Sequence, residues 1–188
     1  MRKRELKLAL RAAGRVAGDD EFFLIGSQAV HAFCARPPAE VTISQECDLY
    51  PKNRPETANR LDAELGRGSR FGRCRGFYVD VVTPELANLP AGWKRRLIPL
   101  RAGAITALCL EVHDLVVSKL AAGRLKDLEF VGALFRLGLA NPRTVRSRLQ
   151  RLADRRAQPR LRARLHVVLD DLRQVQDTAG ASKRHFFR

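Results

Sequence analysis

The sequence predicts an α+β protein in which a mixed β-sheet with flanking helices is followed by a helical C-terminal region. Between residues 21 and 110, turn residues separate short apolar runs rich in β-branched and aromatic residues, which is typical of strands. From His113 onward, apolar residues recur at the 3.6-residue spacing of helices. We therefore divide the chain into residues 1–112, a core with an N-terminal helix, and residues 113–188, a basic helical region.

The first predicted elements are a helix, a strand and a second helix. An apolar stripe at helical spacing predicts a helix over residues 3–17. The apolar run at residues 21–25 predicts a strand that ends at Gly26-Ser27, and the composition of residues 28–33 suits a helix. We expect a strand-turn-helix unit here.

The middle of the chain predicts the other strands of the sheet. The expected elements are extended segments at 41–44 and 46–50, a helix at 56–65, a flexible glycine-rich loop at 66–72, a strand at 76–82, and a hairpin or two short strands at 98–100 and 105–110.

The C-terminal third predicts helices only. Asn141 and Pro142 supply an N-cap and a proline at the first helical position, which predicts a helix start. Pro159 separates a last helix, and the final ten residues lack a period and are expected to form a frayed tail.

The composition narrows the function class. Thirty-five Lys and Arg residues against 20 Asp and Glu give a formal net charge of +15, which favours an acidic partner. No charge-free apolar stretch approaches the roughly 20 residues that span a bilayer, which argues against an integral membrane protein. The four cysteines form no Cys-x-x-Cys pair, which disfavours a zinc site or a disulfide framework and favours reduced thiols in a cytoplasm.

Three carboxylates have the spacing of a metal site. Glu46 and Asp48 are two residues apart on a predicted strand, so both side chains project from one face. Such a pair titrates abnormally, points into water or binds a metal ion, because like charges at this distance repel. Asp80 interrupts an apolar strand, and the simplest reason is that it completes the same site. Oxygen ligands of this kind prefer Mg²⁺ or Mn²⁺.

The Gly26-Ser27 turn is a candidate phosphate site. Where a strand meets a helix, free backbone N–H groups and the positive end of the helix dipole face an incoming anion. A turn of this kind alone is most often ordinary. Followed by an acidic pair and a lone acid on a later strand, it gives the arrangement that two-metal phosphoryl transfer requires.

This arrangement resembles the pattern of the nucleotidyltransferase superfamily to which DNA polymerase beta belongs. The matching residues are Gly26-Ser27, Glu46-x-Asp48 and Asp80. The resemblance implies a nucleotidyltransferase-type sheet, NTP as a substrate and a divalent metal held by the three acids. It also implies that Asp80 acts as the base on the attacking hydroxyl or assists it, and that the turn binds the triphosphate. Many relatives carry Asp in place of Glu46 and a small residue in place of Gln28, and either departure fits an altered substrate or a degenerate site.

Residues 110–128 also resemble the helical region of the abortive-infection AbiEii-like branch, which includes toxins of bacterial toxin-antitoxin pairs. By this resemblance Lys119 and Asp127 belong to the active site, and Lys119 contacts the nucleotide. Some of these toxins modify the acceptor end of tRNA. The resemblance therefore implies tRNA and an antitoxin protein as partners.

A basic segment near the C terminus predicts a nucleic-acid surface. Nine arginines and one aspartate lie between residues 143 and 164. The alternative is that these arginines form a helix face that only contacts solvent. Binding to the phosphate backbone of a nucleic acid is, however, the commonest reason for so concentrated a positive charge. The candidate contacts are Arg146, Arg148, Arg151, Arg155 and Arg156.

Together these features predict a metal-dependent nucleotidyltransferase that acts on RNA, such as a tRNA end. Two other interpretations stay open. The chain is an enzyme that places a nucleotide on a protein or small molecule, or it is a catalytically silent nucleic-acid-binding module that keeps the fold.

Overall fold

A five-stranded mixed sheet lies at the centre of the protein. The computed structural model describes residues 1–185, with side chains described as far as residue 175. The strands are β1 (Glu21–Leu24), β2 (Glu46–Pro51), β3 (Tyr78–Val81), β4 (Ile98–Ala102) and β5 (Ile105–Cys109). Their order is β3-β2-β1-β5-β4. The pairs β1–β5 and β2–β3 are parallel, and β1–β2 and β4–β5 are antiparallel, which confirms the predicted mixed sheet.

Helices flank the sheet and form the C-terminal part of the chain. They are α1 (Lys3–Ala17), α2 (Val30–Phe33), α3 (Ala58–Leu65), α4 (Arg70–Arg75), α5 (Val112–Ala122), α6 (Leu125–Arg136), α7 (Pro142–Leu149) and α8 (Gln158–His185). Within the described residues, none of these helices has the length and hydrophobicity that a bilayer-spanning segment needs.

The buried apolar side chains form one continuous core. Leu6 and Leu10 on α1 and Leu61 on α3 are fully buried in it, and so are leucines of the C-terminal helices such as Leu161. Along β2 burial alternates, because successive side chains of a strand point to opposite faces. One face of β2 therefore packs into the core, and the other is left for polar side chains.

The buried carboxylate of Asp19 connects the start of β1 to the end of β2. Asp19 accepts hydrogen bonds from the backbone N–H groups of Glu21, Asn53 and Arg54 at 2.8–3.0 Å. Burial alone would raise the pKa of Asp19, but these hydrogen bonds lower it. The start of β1 and the end of β2 are thereby fixed to each other.

Two sequence-based expectations were wrong. Residues 41–44 form no strand, because the backbone N–H groups of Val41 and Thr42 bond locally to the carbonyls of Pro38 and Ala39 in a 3₁₀ turn. The glycine-rich segment at 66–72 is not a flexible loop throughout. Helix α4 begins within it, because the Ser69 hydroxyl accepts a hydrogen bond from the backbone N–H of Gly72 at 3.0 Å.

Several other expectations are confirmed. The first helix spans residues 3–17, and β4 and β5 pair as a hairpin. The side chain of Asn141 caps α7 by accepting hydrogen bonds from the second and third backbone N–H groups that follow it. The expectation of a frayed tail over the final ten residues was wrong as far as the structure describes them, because α8 continues to His185; residues 186–188 lie outside the described residues.

Candidate active site

The sheet brings the three predicted carboxylates together. β2 and β3 run parallel, with Glu46 beside Tyr78 and Asp48 beside Asp80. Because Glu46 and Asp48 alternate with buried Cys47, both lie on the polar face of β2. Carboxylate oxygens of Glu46, Asp48 and Asp80 lie within 4.8 Å of one another. This group of side chains is called the acidic cluster below.

Gly26 lies directly against the acidic cluster. A β-carbon at this position would be 1.4 Å from the Oδ2 atom of Asp48, so no side chain fits there. The backbone N–H of the preceding Ile25 donates to the carbonyl of Asp48 at 3.0 Å, which holds the end of β1 close to β2. The structure thus requires glycine here for a close approach to the carboxylate.

The turn that follows Gly26 differs from the predicted helix start. Residues Ser27–Ala29 form a single 3₁₀ turn, and α2 after it has only four residues. The dipole of so short a helix is small, so it contributes less to anion binding than the sequence suggests. Gln28 is fully buried, and its side-chain amide donates to the carbonyl of Ser44 at 2.9 Å.

Lys119 and Asp127 meet beside the acidic cluster, together with Arg124. The ammonium of Lys119 on α5 lies 3.1 Å from Asp127 on α6, and the guanidinium of Arg124 lies 2.7 Å from the same carboxylate. Asp127 is 2% exposed. Burial alone would raise the pKa of Asp127, but the hydrogen bond from Arg124 and the charge of Lys119 lower it. Asp127 therefore stays ionised and positions two cations at the cluster.

Glu46 is also held by two partners. The Tyr78 hydroxyl donates to its Oε1 atom at 3.1 Å, and the ammonium of Lys126 lies 3.4 Å from the same oxygen. Burial alone would raise the pKa of Glu46, but Tyr78 and Lys126 outweigh it and lower the pKa. Glu46 is thus an ionised ligand candidate with a fixed orientation.

Among the three carboxylates of the acidic cluster, Asp48 has the most strongly shifted pKa. Burial, with the nearby charges of Asp80 and Glu46, raises its pKa to about 6 against the opposing charge of Lys119. Burial and the charge of Glu46 also raise the pKa of Asp80. Carboxylates that repel one another and offer only oxygen atoms fit a bound Mg²⁺ or Mn²⁺, because a divalent cation would relieve the repulsion.

The raised pKa of Asp48 predicts that Asp48→Asn stabilises the metal-free protein at neutral pH. Because the folded-state pKa lies above that of an unfolded aspartate, ionised Asp48 destabilises the fold. This cost is absent below about pH 4, grows between pH 4 and 6, and is complete above pH 6. We expect a gain in the free energy of unfolding of up to about 3 kcal/mol at pH 7.5 and none at pH 4.

Urea denaturation in the presence of a metal chelator measures this gain. Asp20→Asn is the matched control, because Asp20 is exposed and should give no gain at either pH. An Asp48→Asn variant whose free energy of unfolding equals that of the wild type at pH 7.5 would contradict the raised pKa of Asp48.

Two cavities meet at the acidic cluster. The smaller, of about 320 Å³, is lined by Asp48, Asp80 and Arg124, and the larger, of about 610 Å³, by Ser27 and Tyr78. Glu46 and Lys119 line both cavities. The cluster is therefore accessible from two sides.

The structure divides the five predicted nucleic-acid contacts. Arg146, Arg151, Arg155 and Arg156 are exposed on or between α7 and α8. Arg148 points inward, where its guanidinium lies 3.3 Å from the carboxylate of Asp114, which is fully buried. Arg96 donates two hydrogen bonds to Asp114, at 2.7 and 3.0 Å, whereas Arg148 contributes an ion pair. The available surface thus consists of the four exposed arginines and excludes Arg148.

Three residues of the site were missed by the sequence-based prediction. Arg124 and Lys126 lie at the start of α6 beside Asp127, and Tyr78 begins β3 two residues before Asp80. The alternation of β3 was the available signal for Tyr78, because it places this side chain on the same face as Asp80. No signal in the sequence identifies the partners of Arg124 and Lys126.

Comparison with known families agrees with the geometry of the site. A family model described as "Nucleotidyltransferase of unknown function (DUF6036)" matches residues 12–150. This range includes the acidic cluster, Lys119 and Asp127, and it supports the superfamily without extending to the AbiEii-like branch. No curated protein and no solved structure matches the chain. Because the family model covers most of the sequence, the chain belongs to this nucleotidyltransferase family.

Proposed function

We propose that this protein transfers a nucleotide from NTP to a hydroxyl of an RNA acceptor, such as a tRNA end. The observation that carries the proposal is the acidic cluster, with three carboxylates within 4.8 Å and Lys119 beside them. Glu46, Asp48 and Asp80 would hold Mg²⁺ or Mn²⁺. When bound, the cation would polarise the phosphate oxygens and favour ionisation of the attacking hydroxyl.

The residues of the site have distinct roles in the proposed reaction. Asp80 accepts the proton of the acceptor hydroxyl, because its carboxylate lines the smaller cavity beside Glu46 and Asp48. The acceptor oxygen then forms a bond to the α-phosphorus, and the bond from that phosphorus to pyrophosphate breaks. Lys119, which lines both cavities, neutralises charge on the phosphates. Asp127 positions Lys119 and Arg124.

The experiment that tests this function uses purified protein, Mg²⁺, each labelled NTP in turn and total tRNA. Transfer of label to tRNA supports the proposal. Label on the protein or on a small molecule would instead favour the second class of acceptor. RNA binding without turnover of any NTP would favour the silent binding module.

Two finer points depend on the family resemblance of residues 110–128. We propose that the chain acts as a toxin of a toxin-antitoxin pair, with an antitoxin protein as its partner, in the cytoplasm. Expression of the wild type in a bacterium should then arrest growth, while expression of Asp48→Asn should not. Growth that continues under both would contradict the toxin role.

Lys119→Ala is expected to lower kcat/KM for NTP by about 10- to 100-fold. The Lys119 side chain is 13% exposed, so its contact with a phosphate would be largely shielded from water. A charge-assisted hydrogen bond of this kind contributes about 1.5–3 kcal/mol. Steady-state kinetics with Lys52→Ala as the control measures the loss, because Lys52 pairs with Glu21 outside both cavities. A folded Lys119→Ala enzyme with unchanged NTP saturation and rate would exclude the phosphate contact.

The exposed arginines are expected to bind RNA mainly through phosphates. In the described residues no Phe, Tyr or Trp side chain occurs on α7 or α8 to stack on bases. Reversing Arg151, Arg155 and Arg156 to Glu should weaken tRNA binding at least about 10-fold and reduce the slope of log K against log salt by about 2–3. NTP saturation should not change.

Filter binding of tRNA over a salt series measures both effects. The matched control reverses Arg70, Arg73 and Arg75 on α4, which changes the net charge equally. Arg148 is left intact, because its reversal would disrupt the pair with Asp114. Equal losses in the two triple variants would mean that net charge, and not this surface, attracts RNA.

A further inference from the structure

The two cavities at the acidic cluster differ in charge and lining. The larger cavity is lined by four acidic and four basic residues, so its formal charge is balanced. The smaller cavity has three acids and two bases, so it is net acidic. A triphosphate carries several negative charges and is repelled less by the larger cavity.

The larger cavity also offers surfaces that suit a nucleobase. The rings of Tyr78 and Phe130 line it, and the guanidinium of Arg67 lies 5.4 Å from the centre of the Tyr78 ring. Ile43, which is 78% exposed, adds an apolar surface at its mouth. Its volume of about 610 Å³ lies within the range of small-molecule sites. Among the residues that line the smaller cavity in the described chain, none is aromatic.

The smaller cavity contains the residue suited to act on an attacking hydroxyl. Asp80 lines this cavity and does not line the larger one. A 3₁₀ turn, Pro84–Ala87, contributes Leu86 and Ala87 to the lining of the same cavity, and Asn88, with a positive φ of 48°, follows it. Leu86 is 73% exposed, so this turn adds an exposed apolar side chain to the cavity that Asp80 lines.

The lining of the smaller cavity is linked to the arginine-rich segment by direct contacts. Asn88 also lines a neighbouring cavity formed by Trp93, Leu152 and Asp154, and the N–H of Ala91 donates to the carbonyl of Arg151 at 2.8 Å. Arg164 of α8 donates to the carbonyls of Leu120 and Ala121 at the end of α5, and Ala121 lines the smaller cavity. The segment that carries the exposed arginines after α7 therefore lies next to the turn that lines this cavity.

We propose that the two cavities take different substrates: the larger binds the donor NTP, and the smaller admits the RNA acceptor along the Pro84–Ala87 turn. This assignment depends on the proposed function. It makes Ile43 a residue of the nucleotide side and Leu86 a residue of the acceptor side. In this assignment Asp80 contacts the acceptor hydroxyl in the smaller cavity, while the nucleobase lies in the larger one. Lys119, which lines both cavities, contacts the phosphates between them.

A matched pair of substitutions, Ile43→Glu and Leu86→Glu, tests the assignment. Both replace a highly exposed aliphatic side chain by the same carboxylate, so both should fold normally. Binding of a non-hydrolysable NTP analogue with Mg²⁺ is measured by calorimetry without acceptor, and binding of tRNA is measured by filter binding without NTP. We expect Ile43→Glu to weaken analogue binding at least about 10-fold and tRNA binding less than about twofold. Leu86→Glu should show the opposite pattern.

The two binding measurements separate this inference from the proposed function. If the wild type binds none of the four NTP analogues, the proposed function and the assignment both fail. If it binds one, and Leu86→Glu weakens that binding while Ile43→Glu does not, the function stands and the assignment is overturned. If Leu86→Glu binds tRNA with the affinity of the wild type, the assignment of the smaller cavity to the acceptor is overturned. If both variants lose affinity equally for the NTP analogue and for tRNA, the assignment of the two cavities is overturned as well.

Discussion

Asp48→Asn should reduce nucleotide transfer by about 1,000-fold or more while leaving the protein folded. The carboxylate of Asp48 is at the centre of the acidic cluster, between Glu46 on the same strand and Asp80 on the neighbouring one. Asparagine keeps the shape of the side chain but removes the charge that a divalent cation requires. A loss of about 4 kcal/mol in transition-state stabilisation corresponds to this factor.

Single-turnover transfer of labelled nucleotide measures the loss. Asp80→Asn should be similarly inactive, and Glu46→Asp should be milder, because it shortens the side chain but keeps the charge. Asp20→Asn should match the wild type. Since we expect Asp48→Asn to be more stable than the wild type without metal, its inactivity could not come from unfolding. Unchanged transfer in a folded Asp48→Asn protein would disprove the site.

Asp114→Ala is expected to destabilise the protein by about 3–5 kcal/mol. Asp114 is fully buried on α5, and the guanidinium groups of Arg96 and Arg148 surround it. Burial raises the pKa of Asp114 despite the hydrogen bonds from Arg96, so the ionised pair contributes little net stability. Removing the carboxylate alone is different, because it leaves two largely buried cations facing each other.

Urea denaturation at pH 7.5 measures the loss. Glu64→Ala is the control, because Glu64 forms an exposed pair with Arg60 one turn earlier and should cost no more than about 0.5 kcal/mol. In the double variant Asp114→Ala with Arg148→Met, part of the loss should be recovered, since one unpaired cation is gone. An Asp114→Ala variant whose free energy of unfolding is within about 1 kcal/mol of the wild-type value would show that water reaches Arg96 and Arg148.

The order of the acids along the chain was enough to predict the acidic cluster, and the reason is geometric. Two acids at alternate positions must share one face of a strand, and an acid within an apolar strand needs a polar neighbour. Which strands are adjacent, and in which register, depends on pairing between distant segments. The contact of Tyr78 with Glu46 and that of Lys126 with the same carboxylate therefore required the structure.

The inward direction of Arg148 is predictable from the sequence. Arg148 follows Val145 by three residues on α7, so it lies on the same face of this helix as that buried side chain. Arg164 has the same relation to Leu161 on α8. A charge on an apolar stripe indicates a buried partner. The identity of that partner, Asp114 for Arg148, depends on how α5 and α7 pack.

The contact between Gly26 and Asp48 has a consequence for judging related sequences. In any chain that keeps this backbone, even alanine at the position of Gly26 would occupy the space of the Asp48 carboxylate. Such a chain could retain all three acids and still hold one of them in the wrong place. Whether the site is intact in a relative therefore has to be judged first at a residue that has no functional group, and only then at the carboxylates.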